Sequence, residues 1–175
     1  MMKIVIITVS DSCSEGKRED TSGPLIKQIV ESMGKVIEYE IVPDEKASIS
    51  QAIKEAVDEL KADLVLTTGG TGLSFRDVTP EATREVVEKE IPGFAELMRQ
   101  KSFKIAPTAV LSRAIAGIRG KSLVINLPGS PRAVKECLEI ILPLVPHALD
   151  MIKGKGHENS AGYLEGSSNS SQMKS

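Results

Sequence analysis

The sequence predicts an α/β fold, a three-layer sandwich in which a mostly parallel sheet carries helices on both faces. Three observations lead there. Residues 3–9 (KIVIITV), 63–68 (DLVLTT) and 122–127 (SLVINL) are nearly continuous apolar runs, the pattern of strands covered on both faces. Between them, apolar residues recur at three- and four-residue spacing, the period of a helix with one buried face. Strands and helices alternate along the chain, which calls for parallel pairing through right-handed crossovers.

The elements follow in order. After the strand at 3–9, the polar stretch 10–22 reads as a long loop. Ser22-Gly23-Pro24 opens a helix, with proline tolerated in its first turn, that runs to Met33 and stops at Gly34. A second strand spans 36–42 and ends at Pro43-Asp44-Glu45. Ile49, Ala52, Ile53, Ala56, Val57 and Leu60 mark one face of the next helix. After the strand at 63–68 comes Gly69-Gly70-Thr71-Gly72. Helices then begin at Thr79-Pro80, where Thr79 reads as the N-cap, and at Pro92. Residues 105–120 fit a helix end and a small hairpin. The last helix carries Val134, Cys137, Leu138, Ile141 and Leu142 on one face and must bend or split at Pro143 and Pro146. From Gly154 the chain turns Gly/Ser/Asn-rich and aperiodic, so 1–153 reads as one domain and 154–175 as a disordered tail.

Composition narrows the function classes. Aromatic residues are 3% of the chain, so the core must be built from aliphatic side chains and few rings remain to stack on bases. With a net charge of −2 and no basic stripe, nucleic-acid binding is not expected. No apolar run approaches the roughly 20 residues that cross a bilayer, and the chain opens on a strand rather than a cleavage signal, which predicts a cytoplasmic protein without membrane attachment. Cys13 and Cys137 have no Cys or His at ligand spacing, so neither a zinc site nor a disulfide is expected. No Ser-His-Asp or Cys-His arrangement can be built around the isolated His147 and His157.

Ligands of open α/β sheets sit beyond the carboxyl ends of the strands, and all four loops leaving those ends are polar or glycine-rich. They are Ser10-Asp11-Ser12, the turn holding Asp44, the stretch from Gly69 to Asp77, and Pro128-Gly129-Ser130. The glycine run fits either a tight turn or a cradle whose N–H groups face an anion; its spacing is neither that of a Walker A loop nor that of a dinucleotide fingerprint. Arg76 suits a phosphate and Asp77 a Mg²⁺ ion, or the two pair with loop neighbours and set the turn. Asp44 is open to two readings, a helix cap or a catalytic carboxylate. Ser130 reads as an N-cap at a helix start that also suits an anion. Ser112-Arg113 and Arg119-Gly120-Lys121 add positive charge that is either a solvated face or an offset for an anionic substrate.

At these residues the sequence resembles the MogA-type molybdopterin adenylyltransferases, a family that includes the corresponding domain of gephyrin. The matching stretches are VSDSCSEG, DTSGP, VPDE, TTGGTGLSFRDVTPEAT, PGFAELMR and LSRAIAGIRGKSLVINLPGSP, together spanning about residues 3–153. The glycine motif continuing into RDVTPEAT is the specific part, since GGTG alone also occurs in MoeA and CinA proteins. The resemblance implies a trimer that transfers AMP from ATP to the terminal phosphate of molybdopterin, with Mg²⁺ present and pyrophosphate released. It implies a product handed to a MoeA-type protein that inserts molybdate. It makes Asp44 and Asp77 the essential carboxylates and the holders of Mg²⁺. It matches Gly69, Gly70, Thr71, Gly72 and Pro128, Gly129, Ser130 to the family's ligand-binding surfaces; with Ser10, Asp11, Arg76, Ser112 and Arg113 from the loops and charges above, these are the expected substrate- and nucleotide-binding residues. A pterin-binding scaffold without turnover is the alternative; the presence of both Asp44 and Asp77 argues against it.

Overall fold

In a computed structural model that describes residues 1–155, six strands form one sheet in the order β2-β1-β3-β6-β5-β4. The strands are β1 (Met2–Val9), β2 (Gly34–Val42), β3 (Leu64–Thr68), β4 (Lys89–Glu90), β5 (Ala116–Arg119) and β6 (Ser122–Leu127). β2, β1, β3 and β6 run parallel, in a register that aligns Ile4 with Leu64 and Leu64 with Leu123. β5 and β4 are added antiparallel at one edge. The hairpin expected near 105–120 is therefore β5 turning back onto β6 through Gly120, whose φ of +55° is one that glycine adopts without strain.

The unbroken apolar runs are explained by two cores, one on each face. Side chains alternate along a strand, so Ile4, Ile6, Leu64, Leu66, Leu123 and Ile125 face one layer of helices. That layer is α2 (Ser22–Val30), α5 (Pro92–Phe103), α6 (Pro131–Ile141) and α7 (Val145–Ile152). Val5, Ile7, Val65 and Val124 face the other, formed by α3 (Lys46–Lys54) and α4 (Thr79–Val86). The three-layer sandwich is the expected one.

Several details differ from the expectation. The stretch read as a loop after β1 contains a single helical turn, α1 (Asp11–Ser14), capped by the Ser10 hydroxyl on the Cys13 N–H at 3.3 Å. α2 ends at Val30, before Met33. The helix expected through Leu60 widens over Glu55–Glu59, where the Leu60 N–H reaches the Glu55 carbonyl five residues back. The last helix splits, with Leu142–Leu144 as a tight turn before α7. Thr79 is not an N-cap: its hydroxyl is buried and donates to the Gly69 carbonyl at 2.9 Å, because the glycine loop lies directly on the start of α4. Cys13 and Cys137 are buried free thiols. Beyond Lys155, the stretch read as a disordered tail lies outside the described residues.

One buried polar group ties the sheet to α4. Asn126 is fully buried; its amide donates to the Thr67 and Thr83 hydroxyls, both at 2.9 Å, and its carbonyl oxygen accepts the Ile115 N–H. The Thr83 hydroxyl passes the chain on to the Thr79 carbonyl at 2.8 Å. Replacing Asn126 by Ala leaves the Ile115 N–H without its acceptor and the Thr67 and Thr83 hydroxyl oxygens without their donor in a dry interior, where each unmade bond costs about 1–3 kcal/mol. Asn126→Ala is expected to lower stability by about 3 kcal/mol, read as a lower urea midpoint with an unchanged slope.

Candidate active site

The parallel strands all end on one side, and the loops leaving them enclose a cleft of about 660 Å³. Ser10 comes from the loop after β1, Asp44 from that after β2, Gly69, Gly70 and Asp77 from that after β3, and Gly129 and Ser130 from that after β6. These nominated residues, scattered over the sequence, line one space.

The remaining candidates do not line the cleft, and all but Ser112 belong to the bonds that brace it. Asp11 and Asp44 exchange bonds: the Asp11 N–H donates to Asp44 Oδ2 at 2.8 Å and the Asp44 N–H to Asp11 Oδ1 at 2.9 Å. This fixes the turn after β2 against α1, so Asp44 is not a helix cap. Arg76 reaches across and grips the Asp11 carboxylate with Nε and Nη2 at 2.8–3.1 Å. Arg113 braces the glycine loop from outside, its guanidinium donating to the Gly72 carbonyl at 2.7 Å, to the Asp77 carbonyl at 2.5 Å and to Glu81, while its N–H meets the Thr71 carbonyl. The Pro128 carbonyl accepts the Thr68 hydroxyl at 2.7 Å, and Ser112 bonds locally to the Ala114 N–H.

Two glycines are required by the carboxylates beside them. A Cβ on Gly70, whose φ is +64°, would stand 3.1 Å from Asp44 Oδ1 and overlap the Thr79 hydroxyl. One on Gly72 would lie 2.8 Å from Asp77 Oδ2. Asp77 itself is turned by its own loop, accepting the Ser74 N–H at 2.8 Å.

The cleft also recruits Thr8 and the segment from Arg18 to Ser22, none of them among the site residues expected from the sequence. Asp20 is the organiser there. Its carboxylate accepts the Thr8 hydroxyl at 2.6 Å, the Tyr39 hydroxyl at 2.5 Å and the N–H groups of Ser22 and Gly23 at 2.9–3.2 Å. The Ser22 hydroxyl then donates to the Gly129 carbonyl at 2.8 Å, joining opposite walls of the cleft. The available signal was an Asp two residues before a helix start, the usual place for a side chain that caps backbone N–H groups.

Burial and hydrogen bonding treat the carboxylates differently. Partial burial pushes the Asp44 carboxyl above its ordinary range, and the negative charges of Asp11 and Asp77 add to this, against the opposing Asp11 N–H and the Arg76 charge. The hydrogen bond from Arg76, aided by the Asp44 N–H, holds Asp11 below that range. At Asp20 burial is the largest single influence and acts upward, but the bonds from Thr8, Tyr39, Gly23 and Ser22 together outweigh it and lower the carboxyl. Asp44 and Asp77 both bring carboxylate oxygens to the cleft, and Asp44 is not directly paired with a cation, chemistry that suits a hard divalent ion. Among the described residues no group of three or more His, Cys, Asp or Glu side chains could hold a metal by itself, so such an ion would take further oxygens from a phosphate-bearing ligand or water. α6, capped by the Ser130 hydroxyl on the Ala133 N–H, begins at the same cleft and favours negative charge there.

A larger groove of about 840 Å³ lies elsewhere, among Ile91, Phe94, Ile118, Leu144 and Met151 of β4, β5, α5 and α7 and their connections. Its lining is mostly apolar, with Glu88, Lys89 and His147 among it, and it does not lie at the strand-end loops that carry the glycine run and Asp44 and Asp77, so the polar cleft is the candidate site.

The chain is similar to known proteins over nearly all of the described residues. Residues 5–147 match a family described as "Probable molybdopterin binding domain". The molybdopterin adenylyltransferase of Helicobacter pylori (strain J99) is 49% identical over 154 residues, covering 86% of this chain and 88% of the relative. The solved structure of the molybdopterin biosynthesis enzyme MoaB from Thermus thermophilus has a TM-score of 0.83 at 47% identity, over 88% of this chain and 98% of that one. The molybdopterin biosynthesis Mog protein of Mycobacterium ulcerans has a TM-score of 0.82 at 38% identity, over 87% and 99%.

The raised Asp44 carboxyl has a consequence for stability. A carboxyl whose folded-state pKa exceeds its unfolded value binds its proton more tightly in the native state, so ionising it with rising pH destabilises the fold. Asp44→Asn keeps an oxygen to accept the Asp11 N–H and removes the charge. Its melting temperature at pH 7 is expected to be at or above that of the parent, with the gain vanishing as pH falls below the unfolded carboxyl value of about 3.9. Thermal unfolding from pH 3 to pH 7 checks this; a variant less stable at pH 7 than the parent would contradict it.

Proposed function

Since the chain belongs to the molybdopterin-binding family of molybdenum cofactor biosynthesis, we infer that it is a molybdopterin adenylyltransferase, transferring AMP from ATP to the terminal phosphate of molybdopterin. The observation that carries this is the convergence of Asp44, Asp77, the glycine loop and the start of α6 on one polar cleft. A phosphate oxygen of the pterin attacks the α-phosphorus of ATP, the bond to the bridging oxygen of the β-phosphate breaks, and pyrophosphate leaves with the electron pair. An ionised phosphate is itself the nucleophile, so no protein nucleophile or base is needed. Catalysis then rests on positioning and on stabilising charge that shifts among phosphate oxygens.

Each wall has a part in this. Gly69 and Gly70 leave room for a phosphate to approach the backbone, and the start of α6 faces the same space. Asp44 and Asp77 are the residues that would hold Mg²⁺, which would supply positive charge to the triphosphate. The Asp11–Arg76 pair and Arg113 keep the turns bearing Asp44 and Asp77 in place before any substrate arrives. In the reading we favour, the reaction takes place in the cytoplasm and the product passes to a MoeA-type protein that inserts molybdate.

The apolar groove beside β4, β5 and α7 supports assembly as a homotrimer. Leu144 is 41% and Met151 54% exposed in the single chain, and a second copy would cover them. Sedimentation equilibrium at micromolar concentration is expected to return three times the chain mass, and Met151→Lys to shift it toward monomer. A monomer for the parent would refute the trimer.

The activity is tested by incubating the protein with molybdopterin, ATP and Mg²⁺ and following adenylylated pterin and pyrophosphate. Asp77→Asn is expected to reduce single-turnover transfer by about 10²–10³-fold, the usual size of lost transition-state electrostatics, with little change in melting temperature or pterin affinity. Binding without turnover in the parent would leave a scaffold instead.

A further inference from the structure

Resting on that reading, we infer that Arg18 is the side chain with which this cleft takes hold of the phosphate group of an entering substrate. The charged side chains lining the cleft are Arg18, Glu19, Asp20, Asp44 and Asp77, a single cation among four acids. A polyanion approaching such walls meets net repulsion unless a cation offsets it.

The arginines that the sequence nominates for this task are already engaged, Arg119 with Asp58 and the Val86 carbonyl outside the cleft. Arg76 spends its fork on Asp11, and Arg113 spends its own on the Gly72 and Asp77 carbonyls and on Glu81. Arg18 is exposed, and among the described residues its side chain makes neither a hydrogen bond nor an ion pair. The lining acid nearest in sequence with a defined role, Asp20, is saturated by Thr8, Tyr39, Ser22 and Gly23 and does not draw the guanidinium in. The root of Arg18 is nevertheless fixed: its N–H and that of Lys17 both donate to the Ser12 carbonyl, at 3.1 and 2.9 Å, which pins the segment to α1. A planar fork on a fixed root, beside a cleft whose other wall begins α6, suits two parallel bonds to a phosphate.

Such a contact forms on binding and persists through transfer, so its loss appears in KM more than in kcat. The shared chemistry is a phosphate group, which either ATP or molybdopterin could bring. Arg18→Gln and Arg18→Lys are compared with the parent by calorimetric titration with ATP, by fluorescence titration with molybdopterin, and by steady-state transfer at two salt concentrations. Arg18→Gln is expected to weaken one of the two ligands about tenfold, in the range of a lost charge-assisted pair, with kcat/KM falling far more than kcat. Arg18→Lys should recover part of the loss, and the difference between parent and Arg18→Gln should shrink as salt is raised. The ligand that weakens identifies whose phosphate is held.

Parent-like affinity for both ligands in Arg18→Gln overturns the inference, whatever the parent's turnover. A parent that binds ATP or molybdopterin but forms no adenylylated pterin refutes the transferase reading alone, because the titrations still decide on Arg18. Circular dichroism and melting of both variants should match the parent, since no bond within the fold is removed.

Discussion

The exchange of N–H bonds between Asp11 and Asp44 is the constraint from which the rest of the site follows. Each carboxylate accepts the other's backbone N–H, so the ends of β1 and β2 are locked together by the same groups that bring negative charge to the cleft. Because Asp11 has an oxygen facing outward, it captures Arg76, and Arg76 sits one residue before Asp77. The turn carrying Asp77 is thereby tied to the β1–β2 side across the cleft. Gly70 then has no alternative: with Asp44 Oδ1 on one side and the Thr79 hydroxyl on the other, its place excludes a side chain.

This arrangement concentrates like charge and offsets only part of it. Asp11 is relieved by a direct bond from Arg76, Asp20 by four donors, and Asp44 by one N–H and the unbonded charge of Arg76 alone. Asp44, the least compensated of the three, faces the cleft, as expected where a site is shaped for a charged ligand rather than for stability. The bonds that hold the glycine loop beside it, through Asn126, Thr83 and Thr79 to Gly69, lie beneath the cleft in a dry region where each is strong. Rigidity comes from below and unsatisfied charge faces outward.

Much of this was legible in the sequence, and the parts that were not have physical reasons. Strands covered on both faces announce themselves as unbroken apolar runs, so β1, β3 and β6 were evident, and parallel connection follows from the helices between them. The cleft was legible because a parallel sheet places all its strand-end loops together. Thr79 was misread because capping preference is a local rule, whereas its hydroxyl is claimed by Gly69, a contact the glycine loop makes on folding back. Asp20 stands in the quoted DTSGP stretch with no role attached, for the opposite reason: its joining of Thr8 and Tyr39 depends on β1 and β2 being neighbours, which no local pattern encodes.

The arginines carry the same lesson in electrostatic form. From sequence, Arg76 in the glycine loop looks like a phosphate ligand and Arg113 like an offset for an anionic substrate, yet a guanidinium goes to whichever acceptors the fold brings first. In the folded chain those are Asp11 for one and two backbone carbonyls with Glu81 for the other. A cation consumed in bracing adds little to the potential felt by a ligand, because its charge is matched or directed at fixed dipoles. What it adds is preorganisation: the loop dipoles and Asp77 are already placed when substrate arrives, so reorganisation is not left to the transfer step. Holding the cleft open and attracting its ligand are separate demands, and an arginine committed to the first leaves the second to cations outside the bracing network.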